Sequence, residues 1–137
     1  MDFLSFEGET IFVVNDTYSK WIETVPMKYT TAEHVIRELR IMFASQGLPR
    51  VVVTDNGPPF QSVRLADFMK ENGIIHKFAA TYHPSTNGSA ERTVRTVKSG
   101  LRKLRGSVEL RLARFLLRNR TTPHSSTGVS PAKLLNG

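Results

Sequence analysis

The stretch VVVTDNGPP, residues 51–59, decides the fold class of this chain. Its first four residues are β-branched, which favours a strand, and the run is short and nearly all apolar, which predicts burial on both faces of a sheet. The residues that follow, Asn56-Gly57-Pro58-Pro59, are typical of a turn. Asp55 is therefore expected at an open strand end beside a chain reversal.

The sequence before this stretch predicts three antiparallel strands and a helix. Residues 1–6, 11–15 and 19–25 have the composition of strands, and the connections between them are too short for a parallel crossover. A helix follows, with Thr30 or Thr31 as its N-cap and Gly47 as its C-terminal stop. Its buried face consists of apolar residues at helical spacing: Val35, Leu39, Met42 and Phe43.

The sequence after this stretch alternates between helices and one more strand. It predicts helices over residues 61–72, 88–105 and 108–119, a strand over 74–78, and a loop from Thr81 to Asn87. The apolar face of the long helix is formed by Val94, Val97, Leu101 and Leu104. Together these elements predict an α/β fold with a mixed five-stranded sheet flanked by helices, in a single domain over residues 1–137.

Composition limits the possible functions. The chain has 19 Lys and Arg against 12 Asp and Glu, a net charge of +7, and no cysteine. Most of the excess positive charge lies between Arg92 and Arg120, which is the pattern of a polyanion-binding protein, although a solvated helix face has the same composition. The absence of cysteine excludes disulfides and cysteine-based zinc sites. No run of eighteen apolar residues is present, so no membrane partner is expected.

Three carboxylates stand at places that suit a metal site. Fifty-two residues lie between Asp2 and Asp55, and thirty-five lie between Asp55 and Glu91. Asp2 opens an apolar strand, Asp55 ends the buried one, and Glu91 lies one turn into the long helix. If the fold brings them together, three hard oxygen ligands can hold two divalent cations, as in enzymes that cut or join nucleic acids. Individually they could be a terminal residue, a turn aspartate and a first-turn helix acid.

Four motifs, in a fixed order, carry a family resemblance. They are DTYSKW at residues 16–21, TDNG at 54–57, YHPSTNGSAER at 82–92 and TPHSSTGVSP at 122–131. In these motifs the chain resembles the catalytic core of retroviral-type integrases, specifically the Ty3/Gypsy branch of LTR retrotransposons. The resemblance implies a ribonuclease H-like fold. It also implies that residues 1–137 are an integrase core without the N-terminal zinc module and C-terminal domain of the family.

The resemblance implies a function as well. A polynucleotidyl transferase of this kind processes the 3′ end of element DNA and joins it to target DNA, with two Mg²⁺ or Mn²⁺ ions held by Asp2, Asp55 and Glu91. The expected partners are element and target DNA and further copies of the chain, as a homodimer or higher oligomer. The expected location is the nucleus, or the element particle in the cytoplasm before nuclear entry.

Candidate DNA contacts flank the glutamate. Arg95 and Lys98 follow Glu91 at helical positions i+4 and i+7, so the three share one helix face. In related integrases these positions contact the element's DNA end; the alternative is an exposed basic stripe. Tyr82 and His83, in the predicted loop, could stack on an unpaired base or touch phosphate, or could be ordinary packed and exposed residues. Asn87 matches a polar family position near the scissile end.

Several departures from the family pattern leave other functions open. Asn15 stands where an apolar residue is usual, and a buried, unpaired asparagine would cost roughly 1–3 kcal/mol. One alternative is therefore a catalytically decayed or domesticated DNA-binding or assembly module of retroelement origin. Another is a ribonuclease H or a different nuclease of the same fold, which the Asp-Asn-Gly segment and the thirty-five-residue gap disfavour.

Overall fold

The computed structural model describes residues 1–79 and 84–136, the side chains of residues 84–87 excepted. These residues form two compact units. Unit 1 contains Met1 and Met27–Gly88, and unit 2 contains Asp2–Pro26 and Ser89–Gly137. In chain order the elements are β1 Asp2–Phe6, β2 Glu9–Asn15, β3 Ile22–Pro26, α1 Ala32–Gln46, β4 Val51–Thr54, α2 Val63–Glu71, β5 Ile75–Phe78, α3 Pro84–Arg102, α4 Val108–Thr121 and α5 Pro131–Asn136.

Unit 1 pairs α1 and α2 with the parallel strands β4 and β5. Helix α1 begins and ends as the sequence predicts. The Thr31 hydroxyl accepts a hydrogen bond from the His34 amide, and Gly47, at φ 92°, donates its amide to the Phe43 carbonyl at 2.7 Å. The buried apolar side chains of this unit come from both helices and from segments outside them: Met1, Met27, Val35, Ile36, Leu39, Met42, Val52, Phe60, Leu65, Phe68, Met69 and Ile74.

Burial along β4 alternates, so the prediction of a strand buried on both faces is wrong. Val52 and Thr54 are buried, whereas Val53 is half-buried and Val51 is 38% exposed. The partner strand β5 is itself mostly exposed. A continuous run of β-branched residues can form a strand that is buried on one face or on both faces. The reason is that β-propensity measures how well a side chain fits a pleated sheet, and not how many faces of the sheet are covered.

Unit 2 is an antiparallel sheet packed against α3 and α4. Its strand order is β1-β2-β3, with Leu4 opposite Ile11 and Val13 opposite Thr24. The apolar faces of sheet and helices form one core of Leu4, Phe6, Ile11, Val13, Ile22, Val97, Leu101, Val108 and Leu112. Val97 and Leu101 are fully buried and Val94 packs against this core, which confirms these three members of the predicted apolar face of α3. Leu104, the fourth, lies beyond the end of the helix at Arg102.

Polar side chains fix the edges of unit 2. In the DTYSKW motif, the Asp16 carboxylate accepts hydrogen bonds from the Ser19 hydroxyl at 2.6 Å and the Ser19 amide at 3.3 Å, and Ser19 is fully buried. Arg120, in the last turn of α4, donates to the Ile22 carbonyl, pairs with Glu23 at 3.1 Å and lies 4.0 Å from the centre of the Trp21 ring. This motif therefore organises the β2–β3 turn and anchors α4 to β3.

The five predicted strands are all present, but the described residues form a three-stranded antiparallel sheet and a separate two-stranded parallel one. The predicted single five-stranded sheet is therefore wrong. Hairpin neighbours are fixed by short connections, whereas pairing between strands separated by a helix depends on tertiary packing that the local pattern does not encode.

Two helix boundaries also differ from the prediction. Helix α3 begins at Pro84 and ends at Arg102, so residues 84–87 are helical where a loop was predicted. Proline is well tolerated in the first helical turn, where its missing amide would have no partner. The short helix α5, which begins at Pro131, was not predicted.

Candidate catalytic and nucleic-acid site

Asp55 comes directly after β4, where the sequence predicted it. Its Oδ1 accepts the Gly57 amide at 2.8 Å, and its side chain is exposed. A Cβ atom at position 57 would lie 3.2 Å from the same oxygen, so the turn uses glycine to let the backbone approach the carboxylate. The turn therefore orients Asp55 through one oxygen.

A buried hydroxyl fixes the backbone just before Asp55. Thr54 is fully buried, and its Oγ1 donates to the Asp55 carbonyl at 2.9 Å. The His76 Nε2 atom lies 2.7 Å from the same hydroxyl, so with the threonine proton used, the imidazole donates from Nε2. Burial, and secondarily the positive charge of the chain's N-terminal amine, lower the pKa of His76 below 6.5. His76 was not predicted to be a site residue, because its partner Thr54 is 22 positions away in the sequence.

Asp2 opens β1 and is half-buried. Its carboxylate accepts the Phe3 amide at 2.8 Å. Its neighbour Met1 is buried in unit 1, where the Met1 nitrogen donates to the Val53 carbonyl at 2.9 Å. The residue before Asp2 is therefore bonded to the strand that precedes Asp55.

Glu91 lies about two turns into α3, deeper than predicted, because the helix begins at Pro84. Its side chain is exposed, and among residues 1–79 and 88–136 it makes no hydrogen bond or ion pair. The turn that precedes it is tied to the sheet, since Asn15 Nδ2 donates to the Ser89 hydroxyl at 3.0 Å. Asn15 is half-buried and paired, so its amide does not incur the cost of a lost hydrogen bond.

The donor chemistry suits a divalent metal, since carboxylate oxygens are the ligands that Mg²⁺ prefers. Asp2 and Glu91 belong to unit 2 and Asp55 to unit 1. Across the described part of the chain, no three acidic, histidine or cysteine side chains form a group that could hold a metal ion. That Asp2, Asp55 and Glu91 form one metal site therefore stays a prediction.

The predicted DNA contacts are only partly described. Tyr82 and His83 lie outside the described residues, as does the side chain of Asn87. Arg95 is exposed and Lys98 is half-buried on α3. Their roles stay predictions as well. None of the helices in the described segments is long and apolar enough to cross a bilayer.

Comparison with known families identifies the chain. The family model of the integrase core domain matches residues 1–84. The chain belongs to the integrase core family. Relatives include an uncharacterized protein of Caenorhabditis elegans, 35% identical over 130 residues, and the Pol polyprotein of Radiation murine leukemia virus (strain Kaplan), 36% identical over 135 residues. These matches cover 92% and 93% of this chain but only 10% and 23% of the relatives, so the chain spans a minor part of their length.

Solved structures share the integrase core fold. The catalytic core of BIV integrase superposes with a TM-score of 0.83 at 24% identity, covering 99% of this chain and 91% of that one. The HTLV-2 integrase catalytic core, solved in complex with magnesium as a trimeric form, gives 0.79 at 20% identity, covering 98% and 90%. A chain of the simian T-cell lymphotropic virus intasome gives 0.86 at 22% identity, covering 99% and 52%. The ribonuclease H-like α/β class predicted from the sequence is thus confirmed at the level of fold.

The integrase core has a basic groove between α3 and α4 that the sequence analysis missed. It has a volume of about 640 Å³ and no acidic residue in its lining. Its floor contains Gly100, Leu104 and Phe115, and its walls carry four basic side chains, Arg95, Lys103, Arg114 and Arg118. The signal was present in the sequence as i, i+4 spacing on each helix, but pairing the two helix faces required the fold.

The TPHSSTGVSP motif of the integrase core forms a self-bonded loop between α4 and α5. The His124 amide donates to the Val129 carbonyl at 3.0 Å, and the Gly128 amide donates to the His124 carbonyl at 2.8 Å. The His124 Nδ1 atom accepts the Ser126 amide at 3.1 Å. These bonds account for the residue types of the motif as loop structure, and His124 and Ser125 also line the basic groove.

Proposed function

We propose that this integrase core is a polynucleotidyl transferase that processes the 3′ end of retroelement DNA and joins it to target DNA. Family membership, with an Asp-Asp-Glu set at the start of β1, just after β4 and on α3, is the observation that carries the proposal. The proposal includes catalytic activity of this chain by itself.

In the proposed site Asp2, Asp55 and Glu91 bind two Mg²⁺ or Mn²⁺ ions. The bound metals would supply Lewis-acid stabilisation of charge on the attacking and leaving oxygens. Support comes from the donor atoms: the Glu91 carboxylate has no partner among the described residues, and Asp55 uses only Oδ1 in its turn. One similar integrase core was solved with magnesium.

The chain's own residues would orient the acids. The Thr54 hydroxyl holds the Asp55 carbonyl, and the Gly57 amide holds one oxygen of its carboxylate. Asn15 holds the α3 turn before Glu91 through Ser89. Such fixed positions matter because the productive geometry of a catalytic group has to be held within fractions of an ångström.

DNA would reach the acids over α3. Arg95 and Lys98 share the Glu91 face and would bind phosphates, while Tyr82, His83 and Asn87 would contact the DNA end. We further propose a Ty3/Gypsy element as the source, a homodimer or higher oligomer as the working form, and the nucleus, or the element particle before nuclear entry, as its location.

The test is a strand-transfer and disintegration assay with Mg²⁺ and with Mn²⁺. Replacing Glu91 with glutamine should abolish metal-dependent activity, because it preserves shape but removes an anionic ligand. The matched control is Glu71→Gln, at the end of α2, which should retain the parent's activity. Equal activity of parent and Glu91→Gln would contradict the proposed role of Glu91. A parent that binds DNA but is inactive with both metals would favour the decayed or domesticated DNA-binding module.

A further inference from the structure

Two arginines of unit 2 that lie outside the α3–α4 groove are paired with carboxylates. Arg111 pairs with Glu7 at 2.9 Å, and Arg120 pairs with Glu23 at 3.1 Å. By contrast, within the described residues Arg95, Lys103, Arg114 and Arg118 have no carboxylate within 4.0 Å. The positive charge of the groove is therefore uncompensated by the protein.

The spacing of the groove residues gives two parallel rows. Arg95 and Ser99 on α3 and Lys103, just after the helix ends at Arg102, recur every four residues and line one side of the groove. Arg95 and Ser99 are about 6 Å apart along the helix axis. On α4, Arg114 and Arg118 are one turn apart, about 6 Å along the axis, and line the other side. Packed helices lie about 8–10 Å apart. The rows therefore present cations on both sides of a channel that several consecutive phosphates can follow.

The polar lining also suits a phosphodiester backbone. Hydroxyl groups of Thr96, Ser99, Thr122 and Ser125 accompany the cations. Hydroxyls and basic side chains are the groups that usually contact phosphate oxygens, and these contacts position DNA without reading its sequence.

We propose that the α3–α4 groove is a second phosphate-binding track for DNA, which adjoins the Glu91–Arg95–Lys98 face at Arg95. Arg95 borders both surfaces, because it shares a helix face with Glu91 and also lines the groove. A duplex that reaches the acids along α3 can thus continue into the groove. This inference rests on the proposed function for the identity of the polyanion.

The first test compares DNA-binding isotherms of the whole chain across a salt series, with EDTA present so that no chemistry occurs. The variant Arg114→Ala with Arg118→Ala should lower the slope of log affinity against log salt by about 1.8, because each lost phosphate contact lowers it by about 0.9. The control, Arg105→Ala with Lys133→Ala, removes the same charge from exposed positions of unit 2 outside the groove. An unchanged slope for the groove pair, or an equal fall for the control pair, would overturn the proposal.

The second test does not depend on removing charge. The chain has no cysteine, so a single introduced thiol is a unique label. Ser125→Cys places a thiol at the groove, and Ser45→Cys places one on exposed α1 in the other unit. Duplex DNA carrying a mixed-disulfide tether on its phosphate backbone should cross-link by thiol–disulfide exchange, with release of the small leaving thiol, several-fold faster with the first variant than with the second. Equal rates would overturn the proposal.

These outcomes are independent of the catalytic assay. If Glu91→Gln keeps the parent's activity while the groove pair still lowers the slope, the proposed catalytic role falls and the phosphate track stands. If Glu91→Gln is inactive while the groove pair behaves like its control, the track alone is overturned.

Discussion

Single residues control the strand end that carries Asp55. The hydroxyl of the fully buried Thr54 donates its one hydrogen bond to the Asp55 carbonyl. Its oxygen is then available to accept a hydrogen bond from the His76 ring. A charged imidazole would bring a second proton into a partly buried place beside the Phe78 ring, whose centre is 4.4 Å away. The strand end therefore depends on His76 remaining neutral.

We predict that stability falls below neutral pH because of His76. Burial lowers the pKa of His76 in the folded chain below 6.5, while the unfolded chain titrates at its ordinary value. The unfolded state therefore binds more protons, so the contribution is complete above pH 6.5 and is lost as pH falls through the folded pKa. Denaturant unfolding at a series of pH values measures this dependence.

Two variants make that measurement specific. His76→Gln keeps a donor but cannot be protonated, so it should flatten the pH dependence below pH 6.5. His34→Gln, on α1, is the comparison for the general effect of replacing a histidine with glutamine. A parent and a His76→Gln variant with the same pH dependence would contradict the assignment.

Local signals made some of these residues predictable and left others hidden. Thr31, Gly47 and Asp55 could be placed because a cap, a helix stop and a strand end depend on neighbours within a few residues. The pairs Thr54–His76 and Asn15–Ser89 join residues 22 and 74 positions apart. Such pairs depend on which elements become neighbours, and one sequence contains no direct signal for that.

At the scale of elements, one glycine sets how closely α3 and α4 approach. An ideal Cβ at Gly100 would lie 2.4 Å from Cδ2 of the Phe115 ring and 3.4 Å from its Cγ. Gly100 thus lets an aromatic ring pack directly on the helix backbone. The same contact forms the floor of the basic groove.

We predict that Gly100→Ala destabilises the chain. Alanine gains about 1 kcal/mol of helix propensity over glycine, but overpacking costs about 1–3 kcal/mol, so the clash outweighs the gain. In a Phe115→Leu background the ring is absent, and Gly100→Ala should become neutral or stabilising by up to about 1 kcal/mol. Denaturant unfolding of the four proteins in the cycle measures the coupling; purely additive effects would show that the ring and the glycine do not interact.

Element type was easier to predict than element boundaries. The apolar spacing of α3 and α4 identified both helices, because burial against a sheet requires a stripe at helical period. The start of α3 was misplaced because Pro84 and Gly88 favour turns by composition, whereas a first-turn proline is equally compatible with a helix. Helix α5, only six residues long, is too short to show a periodic pattern.

At the scale of the whole molecule, the net charge of +7 should govern binding to DNA. We predict that Arg95→Ala with Lys98→Ala weakens binding and lowers the log–log salt slope by about 1.8, the value for two phosphate contacts. Alanine preserves helix propensity, so α3 should remain folded. Binding isotherms over a salt series, with circular dichroism as a check on folding, measure both effects.

The control for this pair lies in unit 1. Arg37→Ala with Lys70→Ala removes the same charge from exposed positions on α1 and α2. If both pairs change the slope equally, the basic residues act as a diffuse surface, and the face shared with Glu91 has no special role in binding.

The arrangement of the strands shows the limit of sequence analysis at this scale. Composition and order identified five strands and an α/β protein, and hairpin length fixed the antiparallel pairs. The division into a three-stranded and a two-stranded sheet was not predictable, because joining strands across a helical connection depends on packing between distant segments. Family motifs supplied the function class that composition alone left open.

The self-bonded loop between α4 and α5 has a practical consequence for mapping this protein by hydrogen–deuterium exchange. The amides of His124, Ser126, Gly128 and Val129 all donate inside the loop, although half of its side chains are exposed. Their exchange should be slow for a surface segment, and substituting His124 with alanine should speed the exchange of Ser126, whose acceptor it removes. A deuterium map would then show slow exchange across this loop, although its composition of Ser, Thr, Pro and Gly is typical of a flexible segment.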